Sequence, residues 1–251
     1  MSATAVTIKL GGVAGSQAET IRLVARDAPP DTVLVHGGGT EVADWSRRLG
    51  IEPRMHDGLR VTDPATLEVA VGVLAGLVNT RLVAELGAAG RPAVGLTGAD
   101  GNLLTLRRRD TAYGEVGEVI SADASLPRTL VAAGLLPVVA PIGVDEAGSL
   151  LNINADEAAG AIAASRGGLL LLCTDVPGVH LDGQLIEELD AAIAERMLAE
   201  GSASAGMRPK LRAALVAARA GCQVRIVDGS SPDEVARALS GSPAGTTVTA
   251  A

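Results

Sequence analysis

Short unbroken apolar runs, each closed by glycine and followed by helical spacing, set the rhythm of the first part of the chain. Ala5–Leu10 reads as a buried strand ended by Gly11-Gly12. Ser16 to Ala28 then carries Ile21, Val24 and Ala25 at helical spacing, with Ser16 as the N-cap. Thr32–Val35 is a second buried strand, followed at once by His36-Gly37-Gly38-Gly39-Thr40 and a helix from Thr40 to about Leu49. Strand, glycine turn and helix, twice over, predict an open parallel sheet with helices on its faces. Ligands of such sheets bind outside the carboxyl ends of the strands, where both glycine turns fall.

The pattern continues with a short hairpin around Asp57–Thr62 and a long helix opened by Asp63-Pro64, cap and first helical position. Leu67, Ala70, Val71, Leu74, Leu77, Val78 and Leu82 form its expected apolar stripe. Gly72 and Gly76 cost that helix stability, which suggests close approach of another backbone, either within the subunit or across a dimer. Further strands are expected at Ala93–Leu96, Leu103–Leu106, Gly114–Val119, Leu136–Ala140, Leu169–Cys173, Val224–Val227 and Gly245–Val248. Helices are expected at Leu126–Ala133, Glu157–Ser165, Lys210–Ala220 and Asp233–Leu239, and the stretch from Val179 to Gly206 is weakly patterned. Arg107-Arg108-Arg109 reads as a solvated loop. The chain divides into residues 1–170 and 171–251, sharing one continuous sheet.

A chain of 251 residues can bury a full core, here built from Ala, Val, Leu and Ile with no Phe. The net charge of −8 argues against nucleic acid or an anionic membrane as the main partner. Cys173 and Cys222 form neither a disulfide framework nor a metal-ligand spacing. Met1–Thr7 lacks the charged start and apolar stretch of a signal peptide, and no run of about 18 apolar residues reads as a membrane span, so the expected location is the cytoplasm.

Only two of the 21 basic residues are lysine, Lys9 and Lys210, each beside a glycine turn. Lysine is a compact charge on a flexible stem, and arginine a rigid fork. Keeping just two lysines points to two movable point charges. The P-loop and GxGxxG patterns are absent, and so is any metal-binding arrangement of the three histidines. Two glycine turns, two lysines and the Asn/Asp groups at Asn152–Asp156 and Asp175 fit phosphoryl transfer, where positioning and charge neutralisation do most of the catalysis.

Six stretches extend this reading: Ile8-Lys9-Leu10-Gly11-Gly12, Val35-His36-Gly37-Gly38-Gly39, Gly58-Leu59-Arg60-Val61-Thr62, Asn152-Ile153-Asn154-Ala155-Asp156, Thr174-Asp175-Val176-Pro177-Gly178-Val179 and Gly206-Met207-Arg208-Pro209-Lys210. In this order, over almost the whole chain, they resemble the amino acid kinase family, and most of all its members acting on N-acetyl-L-glutamate. The resemblance implies an α/β fold, a three-layer αβα sandwich around a mainly parallel open sheet. Residues 1–170 would hold the acyl amino acid and phosphates, and 171–251 the nucleotide. It implies ATP-dependent phosphorylation of the side-chain carboxylate of N-acetyl-L-glutamate, with Mg²⁺, in arginine biosynthesis. Lys9 and Lys210 would stabilise the transferring phosphoryl group, and Asp156 would lie between them and orient them. Gly11, Gly12, Gly38 and Gly39 would offer amides, and Arg60 and Asn152 would hold the substrate α-carboxylate. Asp175, Ser204 and Gly206 would belong to the nucleotide side, and no residue is assigned as a metal ligand.

Two other functions compete with this one. A related kinase acts on aminoadipate or glutamate carried by an acidic protein in lysine biosynthesis, which Arg107–Arg109 would suit, but the net charge and the Gly58–Thr62 stretch do not. A nucleotide-binding regulator without turnover would have no need of both lysines and Asp156. The extra N-terminal helix of arginine-inhibited relatives has no counterpart in the five residues before Val6, so a homodimer insensitive to arginine is expected, joined through the Pro64–Ala88 region.

Overall fold

Eight strands form one continuous sheet in the computed structural model, which describes residues 5–11, 18–181 and 183–250. From edge to edge they are Glu188–Asp190, Thr246–Thr249, Gln223–Asp228, Leu169–Thr174, Val6–Leu10, Thr32–His36, Leu136–Ala140 and Ala93–Thr97. The last six run parallel. Thr246–Thr249 pairs antiparallel with Gln223–Asp228 and carries Glu188–Asp190 parallel to itself.

Helices cover both faces, which is why the central strands read as unbroken apolar runs rather than alternating ones. Successive side chains point to opposite faces. Val33, Val35, Leu170 and Leu172 join the core beneath Ala155–Arg166, Ala191–Glu200 and Met207–Arg219. Ile8, Leu34, Leu171 and Cys173 face Ala18–Asp27, the helix from Pro64 and Pro232–Leu239. This is the expected αβα sandwich. A four-stranded sheet of Leu150–Asn152, Ile142–Asp145, Leu104–Arg108 and Gly117–Ala122, and the hairpin Arg54–His56 with Leu59–Val61, complete the surroundings of the site.

The helix from Pro64 is capped as expected, Asp63 accepting from the Thr66 N–H at 2.8 Å. It continues to Ala88 through a π-helical segment, Gly72–Val78. That wider turn shifts the buried stripe to Val69, Ala70, Val73, Leu74, Val78, Leu82 and Leu86, so Leu67, Val71 and Leu77 are only partly covered. By length and apolarity alone these 25 residues would suffice to cross a bilayer, but one face of the helix is committed to the sheet core.

At the amino end of the sheet, the Arg166 guanidinium ties neighbouring strands together. It donates to the Val6 carbonyl at 2.8 Å and to the Thr7 hydroxyl at 3.2 Å, and pairs with Asp31.

Three expectations need correction. The weakly patterned stretch contains the hairpin His180–Leu181 with Gln184–Leu185, the edge strand and a full helix, Ala191–Glu200. The buried side of that helix is Ala191, Ala194 and Met197, too small and soft a stripe to stand out. Arg107–Arg109 is no free loop: Arg107 pairs with Glu118, Arg108 with Glu115 and the largely buried Arg109 with Glu157. The helix carrying Lys210 begins at Met207, with Pro209 tolerated in its first turn, where no intrahelical N–H bond is lost. The proposed cap Ser16 lies outside the described residues.

Candidate active site

The carboxyl ends of the central strands open into a cavity of about 520 Å³. Its wall includes Lys9, Gly11, Gly38, Gly39, Arg60, Asn152 and Asp156, seven residues singled out from the sequence. Gly12, the eighth expected on this side, lies outside the described residues.

Lys9 sits in the middle of the sheet, paired in register with Val35 and Leu172, on a strand buried along its whole length. Its ammonium lies 2.9 Å from Asp156 Oδ1, an ion pair whose side chains are 7% and 6% exposed. Lys210 approaches Oδ2 of the same carboxylate at 3.5 Å and donates to the Gly206 carbonyl at 3.3 Å. Burial holds the Lys210 ammonium below its ordinary pKa. Asp156 pulls it back up, and the like charge of Lys9 pushes it further down.

The helix pair beneath the site sets this geometry. Gly160 of Ala155–Arg166 comes so close to Met207–Arg219 that a Cβ there would stand 2.8 Å from the Ala213 carbonyl oxygen. A larger residue would separate the helices that bring Asp156 and Lys210 together. Asp156 is free to serve both lysines because Asn154 is the cap: its Oδ1 accepts from the N–H groups of Asp156 at 2.8 Å and Glu157 at 3.3 Å. Sequence reasoning missed Asn154, although an Asn three residues before a Glu at a helix start was there to be read. It also missed the buried Arg109–Glu157 pair beside that cap. Burial lifts the Glu157 carboxyl above its ordinary pKa against the pull of Arg109.

The second glycine turn forms the opposite wall. Gly38 caps Gly39–Arg48 at φ +147°, a conformation that excludes a side chain, and a Cβ there would meet Leu74 at 2.7 Å. From the hairpin, Arg60 Nη2 donates to the Gly39 carbonyl at 2.6 Å, whereas its buried Nη1 has no hydrogen-bond partner. Burial, helped by Arg47, holds the Arg60 guanidinium below its ordinary pKa. Asn152 Nδ2 donates to the Thr62 hydroxyl at 3.2 Å, fixing the amide against that hairpin.

The residues expected on the nucleotide side group around Lys210 rather than in the cavity wall. The exposed Asp175 accepts from the Thr174 hydroxyl at 3.1 Å and raises the Lys210 pKa electrostatically. The Ser204 carbonyl accepts from the Met207 and Arg208 N–H groups, and Gly206 is the cap residue of that helix.

Amide donors, a helix amino end and two ammonium groups on one carboxylate can gather and neutralise several anionic oxygens at once. That is the equipment of a phosphotransferase built on an open α/β sheet. The chain belongs to the amino acid kinase family, whose family model matches residues 5–228. It is 46% identical to an acetylglutamate kinase of Methanopyrus kandleri, over 88% of this chain and 93% of the relative. It is 43% identical to an acetylglutamate kinase of Rubrobacter xylanophilus, over 97% and 96% of the two chains. The crystal structure of smu.665 from Streptococcus mutans UA159 superposes with a TM-score of 0.80 at 26% identity, covering 98% of each chain.

Proposed function

We propose that this chain transfers the γ-phosphoryl group of ATP to the side-chain carboxylate of N-acetyl-L-glutamate, giving the acyl phosphate and ADP, as a step of arginine biosynthesis in the cytoplasm. The observation that carries the reading is Asp156 holding Lys9 and Lys210 at the cavity that Arg60 and the Gly38–Gly39 turn also line. The acceptor is a glutamate-type carboxylate, which ordinarily titrates near pH ~4.3, so it is already ionised at neutral pH and needs no general base. One of its oxygens attacks phosphorus as the bond to the β-phosphate oxygen breaks. Lys9 and Lys210 neutralise the charge that accumulates on the γ- and β-phosphate oxygens, and Asp156 keeps the like-charged pair together.

Residues 1–170 take the acyl amino acid. The unpartnered Arg60 Nη1 and the Asn152 amide receive its α-carboxylate, and the Gly11, Gly12, Gly38 and Gly39 amides receive the phosphate and attacking oxygens. Residues 171–251 take the nucleotide, with Asp175, Ser204 and Gly206 beside Lys210. The site's carboxylate is committed to two ammonium groups, and among the described residues no three His, Cys, Asp or Glu side chains converge as a cation cage. These residues do not fit a resident Mg²⁺. The ion belongs to the incoming nucleotide, as Mg·ATP.

The working unit is a homodimer joined through the Pro64–Ala88 region. Gly72 and Gly76 lie on the exposed side of this helix, and apart from the neighbouring backbone of the helix itself nothing described stands within 4 Å of a Cβ built on either, which favours approach from a second subunit. Trp45, Leu49, Ile51, Val69 and Leu77 border an apolar groove of about 530 Å³ beside them. The ion pairs of Arg107, Arg108 and Arg109 consume the charge that an acidic carrier protein would need, so the carrier-linked alternative loses its main support.

Trapping the acyl phosphate with hydroxylamine tests the reading directly. With Mg·ATP, N-acetyl-L-glutamate gives product while free glutamate and aspartate do not, and Lys9→Ala and Lys210→Ala abolish it. Product from neither free nor acetylated amino acids would overturn the assignment.

A further inference from the structure

His36, the last residue of the second strand and next to the glycine turn, is buried at 2% exposure and takes no part in the chemistry proposed above. Its ring is held at both nitrogens. Nδ1 lies 2.7 Å from the Gly37 carbonyl oxygen, and Nε2 lies 3.1 Å from Asn79 Nδ2. The same Asn79 Nδ2 is 2.9 Å from the Val138 carbonyl oxygen. A carbonyl oxygen can only accept, so the atom facing Val138 is the donating amide nitrogen and His36 Nε2 accepts from it. Likewise, the nitrogen facing Gly37 must carry the proton. The two carbonyls therefore fix His36 as the Nδ1–H tautomer.

We propose that Asn79 and His36 are positioning residues that lock the Gly37–Gly38 peptide so that the Gly38 N–H is presented to the phosphate and carboxylate oxygens in the cavity. In a trans peptide the C=O and the following N–H point to opposite sides of one plane. Holding the Gly37 carbonyl against the His36 ring turns the Gly38 N–H away from it, and that N–H has no partner among the described residues. Gly38 also lacks a Cβ to restrict its backbone, so without an external hold this peptide would be the loosest part of the wall.

Two further observations show that the hold is built. The π-helical segment places Leu74 and Val78 against Gly38, and the Asn79 N–H closes it by reaching back to the Leu74 carbonyl. A strictly α-helical path would turn Asn79 out of line with His36. On the edge strand, Gly95 has no positive φ to require glycine, yet any Cβ there would collide with Asn79 Oδ1. A glycine within a strand marks close approach of another group, here the Asn79 amide. The edge strand is thus shaped around a side chain whose target lies two strands away, at the glycine turn.

This inference rests on the phosphotransferase reading, and the test separates the two. ¹⁵N-histidine spectra of the wild-type chain at pH 7.5 are expected to show His36 protonated at Nδ1, and its tautomer is expected to change in Asn79→Leu. Asn79→Leu should lower kcat at least ten-fold with KM for ATP within twofold, and Gly95→Ala should act in the same direction. In wild type the Gly38 amide cross-peak should shift on addition of inorganic phosphate, and in Asn79→Leu it should not. If Asn79→Leu does not fold, Gly95→Ala and the wild-type spectra decide. Nδ1 unprotonated in wild type, or kcat within twofold of wild type in the folded variants, would overturn the positioning role. A wild-type chain that does not phosphorylate N-acetyl-L-glutamate would refute the functional reading, and the Gly38 response to phosphate would still decide the role of Asn79.

Discussion

Lys9 and Asp156 meet at 2.9 Å with both side chains almost wholly withdrawn from solvent, and the carboxylate's other oxygen faces Lys210. Burying two ammonium groups is costly, and the shared carboxylate offsets that cost for both. The acid is what makes two cations tolerable in one place.

Asp156→Asn therefore leaves two like charges without their counter-ion. Removing one partner of a buried pair costs about 3–5 kcal/mol, and loss of preorganised charge lowers kcat by about 100-fold or more. Urea unfolding and the hydroxamate assay measure the two effects. A variant with the wild-type rate would show that Asp156 does not organise the lysines.

The Lys210 ammonium titrates below its ordinary value because burial disfavours the charged form. If, as proposed, the protonated form neutralises the transferring phosphoryl group, kcat should be fullest below that lowered pKa and fall as pH rises through it. Lys210→Arg, which does not titrate in this range, should retain only a small activity but lose this alkaline limb. A limb that persists unchanged in the arginine variant would assign it to another group.

Arg60→Leu removes a guanidinium that lines the cavity and whose buried Nη1 has no partner. A hydrogen bond to a charged group contributes about 1.5–3 kcal/mol, so KM for N-acetyl-L-glutamate should rise by about 10- to 100-fold. KM for ATP should stay within twofold. Equal changes in both constants would contradict a role confined to the acyl substrate.

Gly72→Glu adds a charge on the exposed side of the long helix, where a Cβ meets nothing described beyond the helix's own neighbouring backbone. Sedimentation should show the wild type as a dimer and the variant as a monomer with unchanged circular dichroism. A dimer in both would place the contact elsewhere.

Much of this was legible in the sequence, for reasons that differ between residues. Lys9 and Lys210 stood out as the only two lysines, each beside a glycine turn, and Gly38 and Asp156 came with the resemblance; the structure brings Lys9, Gly38 and Asp156 to one cavity, with Lys210 against Asp156. The parallel sheet followed from buried strands that show no alternation. The Ala191–Glu200 helix escaped because alanines carry its buried side. Asn79 and His36 escaped because they are 43 residues apart and meet only once the long helix lies across the sheet. The π-helical shift of the Pro64–Ala88 stripe depends on the same packing, which no local period encodes.

Arg166 fastens the amino end of the sheet at Val6, Thr7 and Asp31, while Lys9, Gly38, Gly39, Arg60 and Asp156 gather around the cavity at the carboxyl end. The molecule thereby keeps its anchorage and its chemistry at opposite poles. Substitutions around Arg166 should be felt as melting alone, and those around Lys9 as lost turnover as well. A laboratory lineage selected for heat resistance can therefore accumulate changes at one pole without touching the other.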